Sequence, residues 1–284
     1  MLEERFNELE KYLPLDINKG QNMDYIDYHV RAININSDNN LHTISFFAWH
    51  ILWMSFMEKV CYFIYNYDKV GLLSVLGIGE NQKKILADAN SPYDLSVINE
   101  KTLCNVARYK MIQWHTNKIR NITELVDHRD HIAHCSGVID RELSDIEHDM
   151  DLCLRYTKEI AEKTTTITLA IWDKFSDDMS TMNPEGEREY ALVYDAVTNH
   201  FSNAYYSAYD ILTILKERSY TSADEEDEVI FSKNLAILHV SLLAESYDID
   251  CGIVAEDYVS RMMSMYKKRC EDVMNEVRYH RSLM

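Results

Sequence analysis

The stretch ISFFAWHILWMSFM, residues Ile44–Met57, decides the fold class of this chain. Its uncharged run is too short to span a lipid bilayer, and the polar residues Ser45, His50 and Ser55 interrupt it. The apolar pattern continues on both sides, so the sequence predicts one buried core helix over about residues 41–66. We expect a core helix here, and no membrane partner.

Outside this helix the composition favours further long helices. Only 7 glycines and 3 prolines occur among 284 residues, so residues that form turns are sparse. We therefore expect an all-α fold. Hydrophobic spacing predicts additional helices over residues 1–13, 99–128, 143–174, 188–217, 230–247 and 255–281.

Polar stretches predict the breaks between these helices. Loops are expected at INSDNN, residues 35–40, which ends an Asn- and Asp-rich stretch, and at GLLSVLGIGENQ, residues 71–82. A linker is expected at SDDMSTMNPEGE, where a proline and a glycine lie in a polar run. The chain is thereby divided into three parts: an N-terminal lead segment 1–40, a helical domain 41–178 and an acidic helical C-terminal region 187–284.

The charge of the chain limits its partners. The formal net charge is −18, and an acidic surface repels nucleic-acid phosphates. A role with RNA or DNA therefore depends on a local basic patch. The segment Lys101–His131 offers one, because its six Lys and Arg residues outnumber its three Asp and Glu residues. The alternative is a solvated helix face whose bias arose by chance.

The cysteines and the N-terminal sequence indicate the compartment. The six cysteines form no CxxC pair and predict buried thiols in a reducing environment. The sequence MLEERFNELEKYL is charged and amphipathic, unlike a signal peptide. We expect a cytoplasmic protein.

The segment VDHRDHIAHCSG, Val126–Gly137, holds a dense group of candidate functional residues. It could be a polar helix end, a metal site or an acid–base centre. His128, His131 and His134 step by three, which turns each side chain about 60° from the one before, so the three do not easily meet one ion. His131 and Cys135 could share a metal, but nothing marks the further ligands, and we predict no metal.

Acid–base chemistry on a phosphodiester is the third interpretation. It needs a cation that holds the phosphate and a histidine that moves a proton near neutral pH. Arg129 supplies a fork-shaped cation, and His134 supplies the proton relay. Asp130 lies one helical turn before His134, where its carboxylate could hydrogen-bond the imidazole and orient it.

The sequence RDHIAH, Arg129–His134, resembles the R-x4-6-H motif of the HEPN (higher eukaryotes and prokaryotes nucleotide-binding) superfamily. The polar Asp130 after the arginine, the small Ala133 and the nearby Gly137 are typical of that motif. The order of helices before and after the motif matches as well. The resemblance covers roughly residues 41–174.

Two features refine the resemblance. Arg108 and His115 fit the same loose spacing, but they lack the A-H-x-x-G tail of RDHIAH, so we interpret them as a chance match. In HEPN toxins paired with a nucleotidyltransferase antitoxin, a tyrosine two residues after the histidine is modified, and this position is Ser136 here. We therefore do not expect control by AMP transfer to that tyrosine.

The resemblance implies a HEPN-like helical bundle that acts as a metal-independent endoribonuclease without a cofactor. Arg129 would hold the scissile phosphate, His134 would act as general base or acid, and Asp130 would orient His134. The RNA 2′-hydroxyl would attack, which leaves a 2′,3′-cyclic phosphate and spares DNA. Lys118 and Arg120 are candidate contacts to the RNA backbone.

The resemblance also implies an assembly and a role. Two motif-bearing faces meet in such proteins, so a chain with one motif is expected to form a homodimer with a composite active site. The implied role is a toxin or an anti-phage, abortive-infection effector, with a regulatory protein as a further partner. Two alternatives stay open: a non-catalytic HEPN-like module that binds a nucleotide, RNA or a protein, and a plain helical adaptor in which the motif is coincidental.

Overall fold

The computed structural model describes residues 2–15, 21–133, 141–180, 189–218, 228–247 and 249. Over these ranges the chain is helical and contains no β-strand, which confirms the all-α prediction. Short 3-10 helices occur at Pro92–Val97 and Asn105–Arg108. The α-helices of the described ranges are α1 (Leu2–Glu10), α2 (Gln21–Asp38), α3 (His42–Tyr67), α4 (Lys69–Leu76), α5 (Glu80–Asp88), α6 (Glu100–Cys104), α7 (Thr116–Ala133), α8 (Leu143–Ser180), α9 (Glu189–Ala204), α10 (Ala208–Glu217) and α11 (Glu228–Ser246).

The chain divides into two compact units, Met1–Ile167 and Thr168–Met284. The division falls inside α8, and the predicted lead segment 1–40 belongs to the first unit. The start of the predicted linker, residues 176–180, is the helical end of α8, and residues 181–187 lie outside the described ranges. The first unit contains the motif RDHIAH.

Helix α3 is the core helix that the apolar stretch predicts, within one residue at either end. Residues 52–61 are all buried, so other elements surround α3 on every side. The described residues contain no helix that is both long and apolar enough to cross a membrane. The largest buried side chains of α3 are Phe46, Trp49, Trp53 and Phe56.

The N-terminal stretch contains a helix, α2, that the sequence did not predict. Helix α2 continues into the stretch INSDNN, which was expected to be a loop, and ends at Asp38. Ile33 of α2 is fully buried, and its carbonyl accepts a hydrogen bond from Ser45 Oγ of α3 at 3.0 Å. The side-chain amide of Asn36 donates to the Ala32 carbonyl at 2.7 Å. Packing against α3 therefore outweighs the weak helix propensity of the Asn and Asp residues.

The loop predicted at GLLSVLGIGENQ is mostly helical. Its first part belongs to α4 and its last part to α5, so only residues 77–79 separate the two helices. Leu72 and Leu76 are buried, which gives α4 an apolar face. Gly77 ends α4 with a φ of 65°, a left-handed conformation that glycine adopts without strain.

The single helix predicted over residues 99–128 is wrong, because the chain breaks between α6 and α7. Within the break the aromatic and aliphatic side chains of Tyr109, Ile112 and Trp114 are buried against other elements. Tyr109 donates its hydroxyl to Asp68 Oδ2 at 2.9 Å, and Trp114 donates Nε1–H to Glu159 Oε1 at 2.7 Å. Gln113 has a φ of 49°, outside the right-handed helical region.

This break brings distant residues together. In one continuous helix Glu100 and Arg129 would lie about 43 Å apart, given a rise of about 1.5 Å per residue. In the structure α6 packs against α7, and the side chains of Glu100 and Arg129 are in contact. The turn at residues 109–115 is therefore what creates the surroundings of Arg129.

The later helices follow their predictions more closely. Helix α8 begins at Leu143 as predicted and runs past the predicted end to Ser180. The helix predicted over residues 188–217 is split into α9 and α10, because the Ser207 hydroxyl caps α10 by accepting from the Asp210 amide at 3.4 Å. Helix α11 corresponds to the prediction over residues 230–247, and the helix predicted over 255–281 lies outside the described residues.

Candidate functional site

The motif RDHIAH lies where α7 ends. Arg129 and Asp130 belong to the last turns of this helix, which ends at Ala133. His134, the predicted proton relay, lies outside the described residues, as do residues 135–140. The described part of the candidate site is therefore the set of side chains around Arg129.

Arg129 occupies the packed face of α7 and is paired with two carboxylates. It lies seven residues after Ile122 and three after Val126, both buried on the same face. Only 17% of its side chain is exposed. Its Nη2 contacts Glu100 Oε1, and its Nη1 lies 3.0 Å from Asp130 Oδ1. Asp130, which was predicted to orient His134, thus uses one oxygen to hold Arg129, and the charge of Arg129 is compensated within the protein.

Glu100 bridges Arg129 and a buried histidine. It is the first residue of α6, and its second oxygen, Oε2, lies 3.0 Å from His50 Nε2. Burial opposes ionisation of Glu100, but the hydrogen bonds from His50 and Arg129 outweigh this effect and lower its pKa to about 2. Glu100 is therefore a carboxylate at neutral pH and uses both of its oxygens.

His50 is the polar residue that interrupts the apolar stretch of α3. Its side chain is fully buried, and burial lowers its pKa below the ordinary 6.5 despite the neighbouring carboxylate of Glu100. The ring is therefore neutral near pH 7, and Nε2–H donates to Glu100. Within the described part of the chain Nδ1 has no hydrogen-bond partner, which fits an unprotonated nitrogen facing the core.

A second carboxyl group, that of Glu58, lies near this network. It is buried on α3, and burial together with the negative charge of Glu100 raises its pKa to about 8. Glu58 is thus mainly protonated at pH 7, whereas Glu100 is ionised. Two carboxyl groups of the same core therefore differ in charge, because Glu100 accepts from Arg129 and His50, whereas no such partner of Glu58 is seen among the described residues.

On the other side of Arg129, His128 forms a different histidine–carboxylate pair. His128 Nδ1 lies 2.8 Å from Asp149 Oδ2 on α8, and Arg141 Nη1 lies 2.6 Å from the same oxygen. Asp149 is buried, while 43% of the His128 side chain is exposed. The hydrogen bond to Asp149 raises the pKa of His128 above 6.5, although burial and the charge of Arg141 oppose the shift. His128 is therefore the solvent-exposed member of this pair, and it binds a proton more tightly than an ordinary histidine does.

Both histidine–carboxylate pairs adjoin the N-terminal half of α3. The ring of Phe46 lies 5.6 Å from Arg141 Cζ and 6.0 Å from the ring of His50. The backbone N–H of Arg141 donates to Thr43 Oγ1 at 3.4 Å. The start of α6, the end of α7 and the residues before α8 therefore meet around one segment of α3.

Lys118 and Arg120, the predicted RNA backbone contacts, lie away from Arg129. Lys118 shares the face of Arg129 but is about 16 Å away along the helix axis, and its Nζ pairs with Glu159 above the ring of Trp114. Arg120 lies on the opposite face, where it is exposed and pairs with Glu124 at 3.5 Å. The structure therefore does not bring these two cations together with Arg129.

The basic patch predicted from residues 101–131 is compensated in the fold. Most of its cations contact a carboxylate: Lys101 with Asp127, Lys110 with Asp68, Lys118 with Glu159, Arg120 with Glu124, and Arg129 with Glu100. A phosphate bound by one of these five cations would therefore compete with the carboxylate that the cation already contacts.

Sequence reasoning missed four residues of this site: Glu100, His50, Asp149 and Arg141. For two of them the sequence shows a polar residue at a position where the helical pattern predicts burial. His50 is a lone imidazole in an apolar helix, and Asp149 lies on the buried stripe of α8 between Ile146 and Cys153, where an unpaired charge would be costly. Such residues predict a partner, although the sequence does not say which one.

The described residues show no metal site. No group of three or more His, Cys, Asp or Glu residues in these ranges is arranged to hold a metal ion. The cysteines within these ranges, Cys61, Cys104 and Cys153, are buried free thiols. What the site offers is acid–base and electrostatic chemistry around Arg129 and His128.

Comparisons with known proteins add no assignment. No model of a protein family, no protein with curated annotation and no solved structure matches this chain.

Proposed function

We propose that this protein is a metal-independent endoribonuclease of the HEPN type, which cleaves RNA by attack of the 2′-hydroxyl. The observation that carries the proposal is RDHIAH at the end of α7 in an all-helical unit, with the guanidinium of Arg129 held at that end. A bidentate cation and a histidine five residues later in the sequence would supply the two functions that the reaction needs, phosphate binding and proton transfer.

In this mechanism Arg129 binds the scissile phosphate and stabilises its charge as the 2′-oxygen attacks. The contacts that Arg129 makes with Glu100 and Asp130 are then exchanged, at least in part, for phosphate oxygens. His134 transfers a proton, and Asp130 becomes available to orient it. The RNA therefore competes with two carboxylates for one guanidinium.

The proposed assembly is a homodimer in which two copies of the motif face one cleft, because one chain supplies one motif. The proposed role is a toxin or anti-phage effector in the cytoplasm, a setting that the buried free thiols of the described residues suit. Expression of the wild type should arrest growth, and Arg129→Ala or His134→Ala should relieve the arrest.

The test is incubation of the purified protein with end-labelled RNA in EDTA. Wild type should release fragments with a 2′,3′-cyclic phosphate, and Arg129→Ala or His134→Ala should lower the rate by about 10²-fold or more. Arg108→Ala and His115→Ala are matched controls, since this exposed pair has similar spacing and should retain wild-type activity. Equal cleavage by His134→Ala and wild type would contradict the proposal.

A second function is favoured by the compensated charge of Arg129. A guanidinium paired with Glu100 and Asp130 can serve as a structural tie in a module that binds RNA, a nucleotide or a protein without turnover. The same experiment separates the two functions. Retention of labelled RNA without fragments, in wild type and His134→Ala alike, would select the binding module.

A further inference from the structure

His128 has the arrangement of a proton-transfer group that the motif does not include. Its Nδ1 lies 2.8 Å from Asp149 Oδ2, so Nδ1–H donates to a carboxylate and the ring is fixed in one orientation. Nearly half of the side chain is exposed. Among the described residues Asp149 is the hydrogen-bond partner of this ring, which leaves Nε2 for solvent or a ligand.

The surroundings of Asp149 keep this arrangement in place. Asp149 is buried, and Arg141 Nη1 binds the same oxygen at 2.6 Å. Arg141 in turn lies over the ring of Phe46 of α3. Burial would favour the protonated acid, but the hydrogen bonds from His128 and Arg141 hold the pKa of Asp149 below its ordinary value. The carboxylate beside His128 is therefore charged.

Cleavage of RNA by 2′-hydroxyl attack needs two proton transfers. A base takes the proton of the 2′-hydroxyl, and an acid gives a proton to the departing 5′-oxygen. RDHIAH contains two histidines, but it assigns only His134 to this chemistry. A second proton-transfer group in the last turns of α7 would allow one chain to supply both the base and the acid.

We propose that His128 is the general acid of this site and that Asp149 is its positioning residue; the assignment rests on the ribonuclease function proposed above. His128 directly precedes Arg129 in the last turns of α7, where Arg129 pairs with Glu100 of α6 and His128 with Asp149 of α8. A phosphodiester that lies across these two neighbouring residues would contact both side chains. His134 is then the base.

The step balances in atoms and charge. His134 removes the 2′-hydroxyl proton, the 2′-oxygen bonds to phosphorus, and the bond from phosphorus to the 5′-oxygen breaks. His128 Nε2–H gives its proton to that oxygen, while the proton on Nδ1 stays on the ring and remains hydrogen-bonded to Asp149. Exchange with water returns a proton to His128 and removes one from His134. Products are the 2′,3′-cyclic phosphate and a 5′-hydroxyl.

The charged groups around His128 favour its protonated form near neutral pH. Asp149 of α8 raises the pKa of His128, Glu124 one turn earlier on α7 adds to this effect, and Arg141 opposes it. Because the acid form is lost as pH rises through a raised pKa, activity should fall on the alkaline side at a pH above 6.5.

The test compares two RNA substrates that differ in one atom. One has the ordinary 5′-oxygen at the cleavage site, and the other has sulfur there, a leaving group that departs without protonation. His128→Asn keeps an N–H donor for Asp149 but carries no transferable proton. It should cleave the oxygen substrate about 10²-fold or more slowly than wild type and the sulfur substrate at nearly the wild-type rate.

His148→Asn is the matched control, because His148 is an exposed histidine next to Asp149 in the sequence. It should cleave both substrates like wild type. Equal losses of His128→Asn on both substrates, or no loss on either, would overturn the assignment of His128 while the ribonuclease proposal stands. Failure of wild type to cleave either RNA would overturn both.

The pH profile tests the role of Asp149. Asp149→Asn can keep a hydrogen bond to His128 but removes the negative charge, so the alkaline limb of the wild-type profile should move to lower pH. A uniform loss of rate with an unmoved limb would show that Asp149 serves the fold alone and would overturn its positioning role.

Discussion

Two histidine–carboxylate pairs flank Arg129, and they differ in burial and in how the carboxylate is used. His50 and Glu100 form the buried pair: His50 is fully enclosed, and burial lowers its pKa. His128 and Asp149 form the open pair: 43% of the His128 side chain is exposed, and the carboxylate raises its pKa. The same two functional groups therefore give an imidazole of lowered pKa in one place and an imidazole of raised pKa in the other.

The carboxylates differ in geometry as well. Glu100 uses Oε1 for Arg129 and Oε2 for His50, so each oxygen accepts from a separate donor. Among the described residues two donors contact Asp149, the ring of His128 and the guanidinium of Arg141, and both contact Oδ2. An amide in place of a carboxylate has one accepting oxygen, so it can satisfy the donors of Asp149 but not those of Glu100. Burial and the use of the oxygens therefore distinguish the buried pair, which holds Arg129, from the open pair, which leaves part of an imidazole exposed to solvent.

Glu100→Gln should have the largest effect on stability. The new NH₂ would face a donor, either Arg129 or His50, in an enclosed site, and Arg129 would keep only Asp130 as a charged partner. We expect the free energy of unfolding to fall by about 3 kcal/mol at pH 7, measured by urea denaturation.

Glu58→Gln is the matched control for this change. Glu58 lies in the same core but is mainly protonated at pH 7, because its pKa is raised to about 8. An amide then replaces an uncharged group, and the loss should stay below about 1 kcal/mol. Equal losses for the two variants would contradict the charge assigned to Glu100.

Asp149→Asn should cost less, about 1.5–2 kcal/mol, because the amide oxygen can still accept from His128 and Arg141. Its clearer signature is in the proton affinity of His128. Without the negative charge the pKa of His128 should fall, which NMR titration of the ring C–H signals measures. An unchanged titration of His128 would mean that Asp149 does not set its proton affinity.

The contrast between the two pairs also marks the limit of sequence-based prediction. Helices α3 and α8 were predictable because their apolar patterns persist over many turns. The break at residues 109–115 was not, since it depends on Tyr109 and Trp114 finding partners on other helices. The sequence brought Arg129 and Asp130 together because they are neighbours. Glu100, which joins His50 to Arg129, contacts Arg129 only because of that break. No local sequence pattern therefore predicts these contacts.

The pH dependence of stability should separate the two histidines. His50 has a lowered pKa in the folded protein, so the unfolded chain binds more protons and stability is lost as pH falls below about 6.5. His128 has a raised pKa, so its contribution is full below about 6.5 and is lost as pH rises through the folded-state value. The two contributions have opposite slopes.

Variants without a titrating ring test these slopes. His50→Gln, which can still donate to Glu100, should flatten the loss of stability below about pH 6.5, and His128→Asn should flatten the loss above about pH 6.5. Denaturant midpoints measured across this range are the readout. If His50→Gln altered the alkaline side instead, the neutral state assigned to His50 would be wrong.

The smallest effect is expected from a second ion pair between α6 and α7, the helices that Glu100 and Arg129 also link. Lys101 follows Glu100 on α6 and pairs with Asp127 on α7, but both side chains are more than 40% exposed. Water and salt screen such a pair, so Asp127→Asn should lower stability only slightly, and the difference should vanish in about 1 M NaCl. The loss in Glu100→Gln should persist in the same salt, because its partners are enclosed. A salt-resistant loss in Asp127→Asn would show that proximity of the two helices, rather than burial, sets the strength of these pairs.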